Sequence, residues 1–253
     1  MRRNSVSTVS QSRLCQQAMA CRRASGVSIQ WVALMLVFGG EAHTVPSRTH
    51  FNIQTMFAQA LRVTLHLALF RGGPQDMPYS LPLTRAVIAC AVLASVLLLS
   101  PVTPLPLAFA TGIGGATGVA FFTHRLLRGK HLESRFMQTF VAQLAVGTLF
   151  ALAMWPAFSA LAPVMQELMK DGQALERLKS GQPLPIEPPA WAALWSDVLF
   201  IWSLAVSARI NRLAAELSAV SGWLLTLLSL FVLMGFVLLA QIIAALIFGY
   251  RSP

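Results

Sequence analysis

Charged residues are scarce in this chain, and acidic ones most of all. Only 11% of its 253 residues are charged, with 9 Asp and Glu against 19 Lys and Arg. A soluble domain usually carries charge on about a quarter of its residues. A chain with so little charge cannot cover a globule with a wetted surface, which excludes an ordinary soluble domain. Hydrophobic residues make up 56% of the sequence, enough for a bundle of about five membrane spans.

Cysteine, metal-ligand and catalytic patterns are also lacking. The cysteines are Cys15, Cys21 and Cys90, an odd number with no His or Cys partner at a metal-binding spacing. His124 and His131 would need a third ligand to hold a metal, and none is suitably spaced. No nucleophile elbow or other catalytic signature surrounds any Ser, His or Asp. We therefore expect no enzyme activity, no catalytic residue, no metal and no cofactor.

What the chain does contain is a short basic loop between two long apolar runs, HRLLRGKHLESR at residues 124–135. One acid, Glu133, stands there against four cations, which are Arg125, Arg128, Lys130 and Arg135. Such a loop stays on the cytoplasmic side and orients the helices around it, so these four residues are predicted to set the topology. The net charge of +10 could also indicate nucleic acid. Because the arginines flank apolar runs, we expect anionic lipid head groups as partners and no nucleic acid.

Five apolar runs are long enough to cross a bilayer as helices. They cover about residues 83–100, 107–123, 138–161, 191–208 and 222–248. Cations gather at alternate ends of these runs, which predicts a cytoplasmic amino terminus and an extracytoplasmic carboxyl terminus. A slightly acidic loop at 163–189 is expected outside the cell. Pro156 should kink the third span unless neighbouring groups satisfy the carbonyl it leaves free.

The first 55 residues differ in composition from the rest. They are rich in Arg, Ser and Gln and hold one short apolar run at 27–40. We expect a poorly ordered basic segment, for which three interpretations stay open. It is a cleaved targeting segment, an additional short span, or translated upstream sequence with the natural start at Met56.

Residues 56–82 form a second segment before the transmembrane domain at 83–249. Phe57, Leu61 and Leu65 share one stripe of a helix over 56–71. This periodicity predicts a cytoplasmic amphipathic helix, either lying on the bilayer surface or packed beneath the bundle. A turn rich in Gly and Pro follows it.

The second span contains the glycine-rich stretch TGIGGATG. Ala110, Gly114 and Gly118 fall at the small-xxx-small spacing that lets a neighbouring helix approach closely. A phosphate-binding glycine loop is disfavoured, because no strand precedes it and no Gly-Lys-Ser/Thr follows. These three residues are therefore predicted to form a helix-packing face.

Polar side chains inside the spans are the candidates for a functional site. Asp197 lies inside the fourth span, where an acid is costly and indicates function by default. Gln143 and Gln241 are candidate interhelical hydrogen-bond partners. Together the three form the predicted intramembrane polar site, although Asp197 could instead reach water near the outer interface.

Three sequence stretches resemble a bacterial family of Yip-like five-span inner-membrane proteins. They are GGPQDMPYS, LLRGKHLESRFMQTFVAQLAVGTLFALAMWP and LWSDVLFIWSLAVSARI, and the similarity covers residues 56–248. The eukaryotic relatives bind Rab GTPases and shape membranes. Their Asp-Leu-Tyr-Gly-Pro signature is absent here, so Rab binding is not implied. The Asp of LWSDV, Asp197, also departs from the apolar residue that the resemblance implies.

These observations predict an all-α, polytopic transmembrane helix bundle of about five spans with an interfacial helix before the first. The expected function is that of a non-enzymatic scaffold, or a bundle that binds a membrane-protein partner or a second copy of itself. The alternative is a small transporter or channel component that uses Asp197 with Gln143 or Gln241.

Overall fold

The structure is a computed structural model that describes residues 53–170 and 187–249. These residues form six α-helices and two 3₁₀ turns, and no strand. The helices are α1 Ile53–Ala68, α2 Leu81–Leu99, α3 Leu105–Arg128, α4 Phe136–Lys170, α5 Ala190–Ala214 and α6 Ala219–Phe248. The 3₁₀ turns are Pro74–Asp76 and Glu133–Arg135. The predicted segment 1–55 lies almost wholly outside the described residues.

Helices α2 to α6 are each long and apolar enough to cross a membrane. This confirms the predicted all-α fold with five apolar spans. Most helices exceed the predicted spans by a few residues, and α4 departs furthest. It continues through Pro163 to Lys170, so the predicted loop 163–189 begins as helix. Residues 171–186 of that loop lie outside the described residues.

Hydroxyl side chains fix where two of these helices begin. Ser80 precedes α2, and its hydroxyl oxygen accepts a hydrogen bond from the Leu83 amide at 3.2 Å. Ser218 does the same for the Ser221 amide at the start of α6. Such caps satisfy amides that have no partner within the helix. Helix α6 ends at Gly249, whose φ of 69° is the left-handed conformation common after a helix.

The proline inside α4 is accommodated by a neighbouring helix. Pro156 has no amide hydrogen, so the carbonyl of Leu152 lacks its usual donor. The indole nitrogen of Trp195 on α5 donates to the adjacent carbonyl of Ala153 at 3.0 Å. A side chain from another span thus donates to the carbonyl next to the one that the proline leaves free.

Helix α1 packs against α4 and α5 with one face only. Ala60, Thr64 and Leu67 are buried, whereas Phe57, Leu61 and Leu65 are exposed. The helix thus contacts the bundle, as one of the two predicted placements requires, and also leaves apolar side chains exposed. It begins at Ile53, three residues before the predicted start.

Cations lie together at one end of the bundle, in the connections between helices and in the helix turns next to them. An ion pair between Arg135 at the start of α4 and Glu216 after α5 spans 2.7 Å, which places these two connections side by side. The turn before α2 reaches the same end, because Gln138 donates to the carbonyls of Gln75 and Met77 at 3.4 Å. We call this region the cationic end, and its cations are Arg71, Arg125, Arg128, Lys130, Arg135, Arg209 and Arg212.

Three helices reverse direction at the cationic end through the same backbone conformation. Phe70, His131 and Glu216 follow α1, α3 and α5 with φ values of 58°, 57° and 54°. In each case the next residue's amide donates to a carbonyl five residues earlier. This is the ending that normally selects glycine, so non-glycine residues there are strained by about 1–2 kcal/mol each.

Candidate functional site

Four polar side chains from four different helices join inside the bundle. They are Thr123 on α3, Gln143 on α4, Asn211 on α5 and Thr226 on α6, and we call them the amide relay. Thr123, Asn211 and Thr226 are each at most 1% exposed. Because the relay lies among apolar helices, an unpaired polar group there would be costly.

The hydrogen bonds of the relay run in one direction. The Thr123 hydroxyl donates to Gln143 Oε1 at 3.0 Å, and Gln143 Nε2 donates to Asn211 Oδ1 at 2.6 Å. Asn211 Nδ2 then donates to Thr226 Oγ1 at 2.9 Å. The Thr226 hydroxyl donates to the backbone carbonyl of Gly222 at 3.0 Å, which ends the chain within α6. Each amide thus uses its carbonyl oxygen and one of its two N–H donors.

The side chains of the relay are suited to aligning helices and not to acid–base chemistry. Amides and aliphatic hydroxyls carry no charge near neutral pH, so these four side chains offer no general acid or base of suitable pKa. They do fix the rotation and the height of four helices relative to one another. Interhelical hydrogen bonds in membranes contribute about 0.6 kcal/mol each on average, with values up to about 1.7.

The structure does not bring the predicted polar site together. Gln143 belongs to the amide relay, whereas Gln241 donates to Thr111 on α3 at 2.9 Å. Asp197 is exposed on α5 and lies about four helical turns, roughly 21 Å, from Asn211. Gln143 and Gln241 therefore bond to different partners, and Asp197 bonds to neither of them among the contacts seen, so these contacts do not join the three residues into one site.

Sequence reasoning missed three of the four relay residues. Asn211 lies between Arg209 and Arg212, and was therefore read as part of a cationic helix end rather than as a buried amide. Thr123 and Thr226 gave no signal, because threonines also bond their own helix backbone. The one available clue to the relay was a pair of amides, Gln143 on one span and Asn211 just beyond the predicted end of another.

Close approach between α3 and α6 depends on two glycines of the predicted packing face. A Cβ atom at Gly114 would lie 2.9 Å from both Ala240 Cβ and the Phe236 carbonyl oxygen. A Cβ at Gly118 would lie 3.1 Å from Leu233 Cδ1. Ala110, one turn before Gly114, is half-buried.

A further glycine of α3 serves another neighbour. A Cβ at Gly112 would lie 3.0 Å from Val92 Cα on α2. Small residues on α3 thus allow α2 to approach closely on one side and α6 on another, so α3 lies between these two helices.

The predicted topology-setting residues lie together at the cationic end. Arg135 pairs with Glu216, and Arg125 lies over the Phe121 ring at 5.2 Å. Arg128 and Lys130 are exposed at the end of α3 and in the connection to α4. Among the described residues no group of three or more His, Cys, Asp or Glu side chains is placed to hold a metal ion.

Five apolar helices, four of them joined by a polar relay, carry cations at one end and define a polytopic helix bundle with the composition of a multi-pass membrane protein. Comparisons with protein-family models, with curated proteins and with solved structures gave no match. The function must therefore be argued from the bundle itself.

Proposed function

We propose that this protein is a non-enzymatic, Yip-like integral membrane scaffold that binds a membrane-protein partner or a second copy of itself. The observation that carries the proposal is the amide relay. Its buried amides and hydroxyls bond to one another across four helices. Polar groups committed in this way stabilise one arrangement of the bundle and are not aligned along a path for a substrate.

The outer surface supports the same interpretation. Helix α6 exposes a long apolar face that includes Phe231, Leu246 and Ile247, each more than 70% exposed. Such a face suits lipid tails or another transmembrane helix. A rigid interior with an apolar exterior is what a membrane-embedded binding surface needs.

The test of the scaffold is purification in a mild detergent followed by quantitative mass spectrometry. An unrelated five-span membrane protein, expressed at the same level, provides the background. We expect one membrane protein, or a second copy, to be enriched reproducibly in independent preparations and to cross-link to the chain in intact cells. A monomer with no enriched partner would contradict the proposal.

We place the cationic end in the cytoplasm of a bacterium, with the bundle in the inner membrane. Anionic lipid head groups would then face that end. The amino terminus lies in the cytoplasm and the carboxyl terminus outside. The connection between α2 and α3, which contains Pro101 and Pro104 but no charge, is favourable to translocate.

The orientation is tested with single cysteines in a chain whose native cysteines are replaced by serine. Glu187→Cys should react with a membrane-impermeant maleimide on intact cells, and Lys130→Cys only after the cells are permeabilised. The reverse pattern would invert the proposed orientation.

A further inference from the structure

We infer that Arg209 binds the head-group phosphate of an anionic phospholipid, whose acyl chain lies beside Trp202. The inference rests on the proposed membrane embedding of the bundle and assigns one lipid to a defined place on it.

The guanidinium of Arg209 is only partly satisfied by the protein. Its Nε atom is buried and has no hydrogen-bond partner. One terminal nitrogen lies 3.5 Å from the carbonyl oxygen of Gly72, which is the limit of a weak hydrogen bond. Among the described residues, Arg209 forms no ion pair with an acid. Because a ligand cannot reach the buried Nε, the anion is held by the two terminal nitrogens of the guanidinium, which can grip its oxygen atoms through two parallel bonds.

Trp202 extends the same site along the helix. Residues seven apart share one face of an α-helix, so the indole lies about 10 Å from Arg209 along α5. The indole nitrogen donates to the carbonyl of Ala68 at 2.8 Å, and the ring contacts Phe70 with centroids 5.8 Å apart. Trp202 and Phe70 remain partly exposed. The surface thus has a cation at one end and aromatic rings deeper along the same face, which is the polarity of a phospholipid.

The charge around Arg209 favours an anion over a cation or a neutral ligand. The segment from Ile53 to Gln75 contains Arg62 and Arg71 but no acid. The acid nearest to this segment is Asp76, whose Oδ2 accepts the Gly73 amide at 2.8 Å, so one carboxylate stands there against Arg62, Arg71 and Arg209. The net field at this face is therefore positive and draws anionic head groups from the leaflet.

Lipid retention by the purified full-length protein tests the inference. The protein is exchanged into nanodiscs of phosphatidylcholine and phosphatidylglycerol, then released and examined by native mass spectrometry. We expect one retained phosphatidylglycerol, and at least a ten-fold loss of its retention in Arg209→Gln, as for a charge-assisted contact. The matched control is Arg212→Gln, which removes the same charge from an exposed position on the same helix and should retain the lipid within two-fold.

Several outcomes would overturn the site. Equal loss in Arg209→Gln and Arg212→Gln would show diffuse attraction to the cationic end instead. If inorganic phosphate raised the thermal stability of the wild type as much as phosphatidylglycerol does, the site would be one for free anions. If Arg209→Gln fails to fold, Arg209→Lys serves in its place, since it keeps the charge but loses the paired terminal nitrogens of the guanidinium, and unchanged retention in it would contradict the proposed grip. Because all variants are first checked for insertion into the nanodisc, failure of the lipid site is distinct from failure of the membrane scaffold.

Discussion

The side-chain amide of Gln143 on α4 lies 2.6 Å from Asn211 Oδ1 on α5. This bond joins two helices at a single height and rotation. A shift of one residue would turn either side chain by about 100° around its helix and break the bond between the two amides. The pair therefore fixes the register of α4 against α5, and the threonines at either side extend that constraint to α3 and α6.

Gln143→Leu is expected to lower the free energy of unfolding by about 1–2 kcal/mol, because it removes two hydrogen bonds and leaves Asn211 Oδ1 without a donor. Unfolding of the protein in mixed micelles measures the change. Gln59→Leu, the same substitution at an exposed position on α1, is the control and should have little effect. In a double-mutant cycle, Gln143→Leu with Asn211→Leu should cost less than the sum of the single changes. Strict additivity would show that the two amides do not interact.

Gly114→Ala should destabilise the bundle by about 1–3 kcal/mol. The added methyl group would overlap Ala240 and the Phe236 carbonyl, and α3 and α6 would have to move apart. The adjacent Gly115→Ala is a matched control, because a Cβ atom there meets nothing within 4 Å. It should be neutral or stabilising by up to about 1 kcal/mol. Equal effects of the two variants would mean that α6 does not pack on Gly114.

His131→Gly is expected to raise the free energy of unfolding by about 0.5–1 kcal/mol. It removes the strain of a φ of 57°, and the greater freedom of glycine in the unfolded chain offsets part of the gain. Lys130→Gly, one residue earlier and without a positive φ, should be neutral or destabilising. A stabilisation by Lys130→Gly as large as that by His131→Gly would contradict the proposed cause.

Asp197→Asn tests the transporter alternative. Because Asp197 is exposed and lies about 21 Å along α5 from Asn211, the partner of Gln143, we expect unchanged stability and no change in proton or ion flux across liposomes. Empty liposomes and the wild-type protein set the two reference levels. A wild-type flux that Asp197→Asn abolishes, with the fold intact, would favour the transporter over the scaffold.

The number and type of the helices could be predicted from the sequence, but their ends could not. Hydrophobicity locates only the part of a helix that suits the hydrocarbon layer, whereas the backbone hydrogen bonds continue beyond it. Helix α3 therefore runs on to Arg128, past the predicted end near Thr123. Helix α4 passes through Pro163 for the same reason, because the backbone groups on either side of the proline still bond within the helix.

The candidate site was harder to predict than the fold. The glycine spacing on α3 indicated a packing face without naming the partner, and the structure places α6 against Gly114 and Gly118. Gln143 was a candidate, but its partner Asn211 is 68 residues away. Residue type and depth alone cannot pair side chains on separate helices, since pairing also depends on helix rotation. Asp197 drew attention by its charge, yet its side chain is exposed and lies about 21 Å along α5 from the relay residue Asn211.

The contact between α3 and α6 has a consequence for how the protein is made. A ribosome synthesises α3 well before α6, so the glycine face of α3 enters the bilayer with no partner to cover it. Lipid or an insertase must occupy that groove until the last span arrives. A nascent chain stalled before Ala219 should therefore stay associated with the insertion machinery and be degraded rapidly when released.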